Sequence, residues 1–394
     1  MKRIQRPWRK QLRHLSCLLL CATLAACATP PVAPPPPDLF NDASFAAPAV
    51  PIAPQQAFAL SDAMRRYVHV DIAREARGKN PRRALADALR NRAGLQLEYD
   101  AAMTRTAAQT FDERSGNCLS LVLMTAALAK EMGLEVRYQA ILGDDSWSRS
   151  GDMYFVAGHV NLVLGRRLAD KVDGYDVDSS LLIDFLPASD LTGQRSKEIA
   201  ETTILAMYLN NRAAETMASG ELDQAYWFAR AAIVQDPAFA GAFNTLGIIQ
   251  LRHGDLEPAR RTLAYALERS PANTVLLSNL AQALDSLGRV DEAQLMRRKL
   301  LALQPEAPFH FFNLGLVAMK NADYQEAVRL FKREIVRDPY YHEFHFWLAQ
   351  AYARMGQLAQ ASQQLELAMD NSTTRSDHGL YAAKLQRLRA ATSH

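Results

Sequence analysis

From about residue 196 onward, small, apolar and turn-forming positions recur every 34 residues. Pro237, Pro271, Pro305 and Pro339 mark the period, as do Ala225, Ala259, Ala293, Ala327 and Ala361. A looser column contains Gly220, Gly254, Gly288, Ala322 and Gly356. Small residues let two helices approach, glycine turns the chain between them and proline closes the unit, so each period predicts a helical hairpin. At Ala322 the neighbouring Asn321 is expected to supply the turn conformation. Five units fit, 206–239, 240–273, 274–307, 308–341 and 342–375, preceded by a helical link over about 196–208. The tail 377–391 reads as a capping helix, because a terminal repeat must cover its open face.

The stretch 58–190 has a different pattern. Ser61 caps a predicted helix over 62–74, and Asn80-Pro81 opens another that runs to about residue 91. Residues 95–99 alternate, as in a short strand or extended link, and 104–111 lead into Gly116-Asn117-Cys118. The run Leu119–Leu128 is apolar nearly all round, which predicts a central buried helix, ended by Gly133.

Three strands are expected next. Val136, Tyr138, Ala140 and Leu142 alternate with polar residues; 143–152 reads as a mobile loop bordering a cleft. In the second strand Val160, Leu162 and Leu164 share one face, and His159, Asn161 and Val163 the other. Asp173-Gly174 signals a hairpin, and a third strand over about 180–186 puts Leu182 and Asp184 on one face. A turn between Lys171 and Gly174 places 159 opposite 184; Asp178 has the same parity nearer the turn and is the second choice.

The N-terminus changes the meaning of the composition. Lys2, Arg3, Arg6, Arg9, Lys10 and Arg13 precede the apolar stretch 15–26, the layout of a secretory signal. Without those six cations the formal +3 becomes −3, which gives no electrostatic reason to bind nucleic acid. Leu24-Ala25-Ala26-Cys27 resembles the lipobox of bacterial lipoproteins. That resemblance implies a lipid on Cys27 and a periplasm-facing protein on the outer membrane, because Ala28 rather than Asp follows the cysteine. The six prolines of 29–38 read as a spacer, within a linker 27–57.

Cys17 and Cys21 leave with the signal and Cys27 takes the lipid, so Cys118 is the single free thiol of the processed chain. A cysteine at a helix N-terminus is placed to react as thiolate, and a histidine held by a carboxylate is the usual activator. The alternative is a small buried hydrophobe opening a core helix.

Gly116-Asn117-Cys118, then Gly158-His159, then Asp184, in that order, resemble the transglutaminase-like superfamily, a branch of the papain-like cysteine fold. The resemblance implies Cys118 as nucleophile, His159 as general base and acid and Asp184 as its orienter. The Cys118 backbone N–H and Asn117 are oxyanion candidates. Departures are Leu119 and Asn161, where many members have aromatic residues, and Phe185-Leu186-Pro187 after the aspartate. The periodic half resembles the tetratricopeptide repeat, with Phe243, Leu246, Gly247, Ala259, Ala266 and Pro271 matching its pattern in one unit.

The fold expected is thus an α+β papain- or transglutaminase-like domain, 58–195, followed by an all-α tetratricopeptide superhelix, 196–394. Its function would be acyl transfer by a Cys-His-Asp triad, as peptidase, amidase or transamidase, with repeats recruiting a protein or peptide on their concave face. Phe309, Phe312, Leu316 and Phe346 are the candidate partner-binding patch, unless they only pack neighbouring repeats. The alternative is a non-enzymatic repeat scaffold with a relic cysteine domain. No cofactor or metal is expected: there is no phosphate-binding glycine loop, and His342 and His345 at i, i+3 make no ligand set.

Overall fold

The computed structural model describes residues 34–392, apart from 49, 78–79, 91–94, 143–145, 151–152, 168–179 and 186–194. The signal, Cys27, Asp178 and the Asp173-Gly174 turn lie outside the described residues.

Helix α1 (62–75) begins on Ser61, whose hydroxyl accepts the Met64 N–H at 3.2 Å, and α2 is Pro81–Arg90. The two-residue strand β1 (Glu98–Tyr99) runs parallel to β2 (Ser115–Gly116), and α3 (Ala107–Glu113) lies between them in sequence. Helix α4 (Cys118–Glu131) is buried from Leu119 to Ala129, as its all-round apolar sequence demands. It packs on a sheet of order β7-β6-β3-β8, with β3 Leu134–Leu142, β6 Val160–Arg167, β7 Leu181–Ile183 and β8 Arg195–Ile199. All three pairings in that sheet are antiparallel.

Two expectations need correction here. The segment 143–152 is no simple loop: β4 (Ser146–Ser150) pairs with β5 (Met153–Ala157) in a hairpin of its own. The link at 196–208 is not helical throughout either. Residues 195–199 form β8 on the free edge of β3, so the sheet is completed by residues beyond the expected boundary at 195.

Helix α5 (Glu201–Ala218) joins the halves. Its first turns place Ile204 and Leu205 in the α+β core, whereas Leu209, Ala213 and Met217 enter the core of the repeats. At its start Glu201 accepts the Tyr138 hydroxyl at 2.8 Å and pairs with Lys130, tying α4, β3 and α5 together.

The helical hairpins are α5 with α6 (Leu222–Gln235), α7 (Ala240–His253) with α8 (Leu256–Arg269), α9 (Thr274–Ser286) with α10 (Val290–Leu303), α11 (His310–Lys320) with α12 (Tyr324–Arg337), and α13 (His342–Arg354) with α14 (Leu358–Asp370). Helix α15 (Arg375–Thr392) covers α14. The small-residue columns work as contact points: a Cβ on Gly247 would stand 2.6 Å from Leu263, and one on Gly315 2.4 Å from Phe331. At the broken glycine column Ala322 itself takes the left-handed conformation (φ 61°), not Asn321.

Residues 36–46, expected to belong to a spacer, form a strap folded onto the first two repeats. Leu39 and Phe45 are buried, and Phe45 stacks on Tyr226 at 4.0 Å. Asp42 accepts from the Tyr226 hydroxyl at 2.6 Å and from Arg230 at 2.8 Å. The fully buried Gln250 amide donates to the Leu39 carbonyl at 2.9 Å, and Trp227 donates to the Ala46 carbonyl at 2.6 Å. Prolines set the turns of this segment, but its apolar and Asx residues give it somewhere to bind.

Candidate active site

Cys118 is the first residue of α4, and Asn117 is its N-cap. Asn117 Oδ1 accepts from Ser120 N at 2.9 Å and Ser120 Oγ at 2.8 Å, while Nδ2 donates to Thr104 Oγ1 at 2.8 Å. Its amide is therefore engaged in shaping the turn, which argues against Asn117 as oxyanion donor. The close Gly116 backbone has a steric reason: a Cβ there would fall 2.7 Å from the Ser120 Cβ.

His159 stands at the mouth of β6. Its Nε2 lies 2.9 Å from both carboxylate oxygens of Asp184, and Cys118 is near enough to the imidazole to affect its titration. Burial by itself would push the imidazole down. The Asp184 carboxylate, which accepts from the ring, and the neighbouring Cys118 outweigh it and lift the pKa from 6.5 to about 9. His69, the other histidine of the 58–195 domain, pairs instead with Glu131 at 2.8 Å, at the opposite end of α4 from Cys118.

The register differs from the expected one by two residues. Leu162 pairs with Ile183 and Leu164 with Leu181, so position 184 falls opposite 161 rather than 159. A shift of two preserves the face, and His159 reaches Asp184 diagonally. Directly opposite, Asn161 Nδ2 donates to Asp184 Oδ2 at 2.8 Å. The residue that looked like a departure from the family pattern holds the carboxylate.

Tyr99 carries no sequence signal for this site. The β1–β2 pairing sets Tyr99 beside Gly116, which brings its phenol near Cys118 at the start of α4. Burial raises the phenol pKa, the Cys118 charge raises it further, and the Cys118 backbone amide acts in the opposite sense; the net shift is upward.

In the repeats, Phe309 and Phe312 are buried and Leu316 packs against the same cluster, while Phe346 stacks on Tyr381 at 5.0 Å. The four were expected to offer a partner-binding patch. Instead Phe309 and Phe312 fill the space between helices, and Phe346 packs under the capping helix. His345 bonds Gln364 at 2.8 Å and the Pro339 carbonyl at 2.9 Å, which engages both ring nitrogens.

Residues 250–310 and 318–385 match the tetratricopeptide repeat family, and the C-terminal half carries that repeat. No curated protein matches the sequence. Among solved structures the chain is similar to MamA, 18% identical, covering 44% of this chain and 93% of that one, with a TM-score of 0.25. YrrB, described as a TPR protein with an unusual peptide-binding site, is 21% identical over 45% of this chain and 92% of its own, with a TM-score of 0.25. A thermophilic TPR protein of Thermus thermophilus is 20% identical over 46% of this chain and 99% of its own, with a TM-score of 0.29.

Proposed function

We propose that the protein is a repeat scaffold that holds a protein partner on its tetratricopeptide stack and is tethered to the outer membrane, facing the periplasm, by a lipid on Cys27. The family match over 250–310 and 318–385 carries this reading, because stacked helical hairpins present elongated surfaces that suit protein segments. The tether rests on Leu24-Ala25-Ala26-Cys27 and the cationic, apolar segment before it. Complementation tests the scaffold: the full chain with Cys118→Ala is expected to restore the function of a strain lacking the protein. Loss of function in that variant, at equal protein level, would sink a purely structural role.

The bond between His159 and Asp184, with Cys118 near the same imidazole, favours a second reading, thiol-dependent acyl transfer in the manner of transglutaminase-like enzymes. In this reading the Cys118 thiolate attacks an amide carbonyl and forms a C–S bond. The Cys118 backbone N–H, at the start of α4, donates to the carbonyl oxygen as it gains charge. The His159 imidazolium gives its proton to the leaving amine, the C–N bond breaks and a thioester remains. Water, or a second amine, loses a proton to His159 as it attacks the thioester, and thiolate and imidazolium return. Alkylation by iodoacetamide at neutral pH tests the pair: His159→Ala is expected to slow Cys118 at least about tenfold. Equal rates in the two proteins would remove this reading.

A further inference from the structure

The fourth repeat does not stack on the third. At the other junctions the second helix of one hairpin packs on the first helix of the next, α6 on α7, α8 on α9 and α12 on α13; α10 and α11 do not pack in this way. The cores of repeats one to three and of repeats four and five are accordingly separate clusters.

Three columns of the repeat show what this leaves uncovered. Leu280, Leu314 and Leu348 are equivalent; the outer two are buried at 5% and 2%, whereas Leu314 is 44% exposed. Ala283 and Ala351 are fully buried, but Val317 between them is 56% exposed. On the other side of the junction Leu267 and Ile335 pack against their cores, while their counterpart Leu301 is 61% exposed. One unmade junction thus leaves two complementary apolar faces, on α10 and on α11.

The bend that separates them is built in. Phe309 adopts a left-handed conformation (φ 59°), unusual for an aromatic residue, with its ring buried against Tyr341 and Phe344 at 5.1 and 5.4 Å. The buried Glu334 carboxylate accepts the N–H groups of Phe311 at 2.8 Å and Phe312 at 3.2 Å. Arg337 bonds Glu334 at 2.8 Å and the carbonyls of Glu306 and Ala307, both at 3.1 Å. Equivalent positions to Glu334 are Ala266, Leu300 and Ala368, so no other junction has this lock. The far end of the stack is also held: the Thr373 carbonyl accepts from Ala101 N at 2.8 Å, and Arg375 pairs with Glu98 at 2.8 Å. Closing α10 onto α11 within one chain would break these contacts.

We infer that α10 and α11 form an interface between two copies of this chain, α10 of each stacking on α11 of the other, so that one two-fold axis completes two repeat junctions. Each face is covered by the helix type that covers its counterparts elsewhere in the stack, and the symmetry closes the assembly at a dimer.

Analytical ultracentrifugation of the full chain in detergent tests this. A dimer at micromolar concentration is expected. Leu301→Glu on α10, and separately Leu314→Glu with Val317→Glu on α11, should each weaken it at least about tenfold. Circular dichroism and thermal unfolding should stay unchanged, since these side chains already face solvent. Mixing the two variants should restore part of the association, because a mixed pair keeps one intact α10–α11 junction. A monomeric wild-type chain, a dimer indifferent to either variant, or mixing without recovery would each overturn the proposal; a monomer points to an unrelated helical partner or to closure within the chain.

Discussion

Asn117 and Asn211 donate to one oxygen: their amide nitrogens lie 2.8 and 3.2 Å from Thr104 Oγ1. The Thr104 N–H meanwhile donates to Glu215 at 2.6 Å, so the turn that presents Cys118 is fastened to the first helix of the repeats. Thr104→Val keeps the volume but strands both amides. It is expected to cost about 1–3 kcal/mol in urea unfolding and to slow Cys118 alkylation. Unchanged stability would mean that water replaces the hydroxyl.

Asp184→Asn removes the charge that lifts His159 and one of the two acceptor oxygens facing its ring. Burial then dominates, and the imidazole pKa should fall from about 9 by more than about one unit, read by NMR titration of the ring protons. Asn161→Ala should move it in the same direction by less, because the carboxylate remains but loses its support. A pKa untouched by Asp184→Asn would refute the assigned pairing.

His159 also gives stability a pH dependence. Its folded pKa, about 9, exceeds the unfolded 6.5, so its contribution is complete below pH 6.5 and is lost as pH rises through 9. The loss should be on the order of 2–3 kcal/mol between those limits and should disappear in His159→Ala, as measured by urea titrations at several pH values. A wild-type curve parallel to the variant's would contradict it.

Gly315→Ala adds a methyl 2.4 Å from the ring of the buried Phe331. The helix-propensity gain of about 1 kcal/mol is outweighed by overpacking, and a net loss of about 1–3 kcal/mol is expected by thermal unfolding. A stabilised variant would show that the two helices can move apart freely.

Phe45→Ala deletes the stacked ring that seats the strap on Tyr226. Limited proteolysis within 36–50 should accelerate at least about tenfold, while the repeats lose little cooperativity. Resistance equal to wild type would mean that the hydrogen bonds of Asp42 and Gln250 hold the strap unaided.

What the sequence disclosed depends on how local each signal is. The 34-residue period is written into every repeat, so helix pairs and their small-residue contacts are legible one unit at a time. The sharing of a face by His159 and Asp184 follows from strand alternation and survives a register shift of two. The register itself depends on the turn between β6 and β7, which alternation does not encode. Tyr99 meets Cys118 through a two-residue parallel pairing too short to leave a pattern. The open junction is hidden because proline and alanine columns continue across it; the exception is Glu334, a carboxylate in a column otherwise filled by alanine and leucine. The strap was masked by its prolines, which suit a docked turn as well as a free spacer.

The strap also determines where a mechanical load would enter. With the proposed lipid on Cys27, the stretch from 27 to 36 reaches at most about 30 Å, and the next residues grip Tyr226, Arg230 and Gln250. A pull on that lipid would therefore be borne by the first two repeats, through their bonds to the strap, before any tension reached α1. Under such a tether the cysteine domain would hang outside the load path, shielded from tension at the anchor.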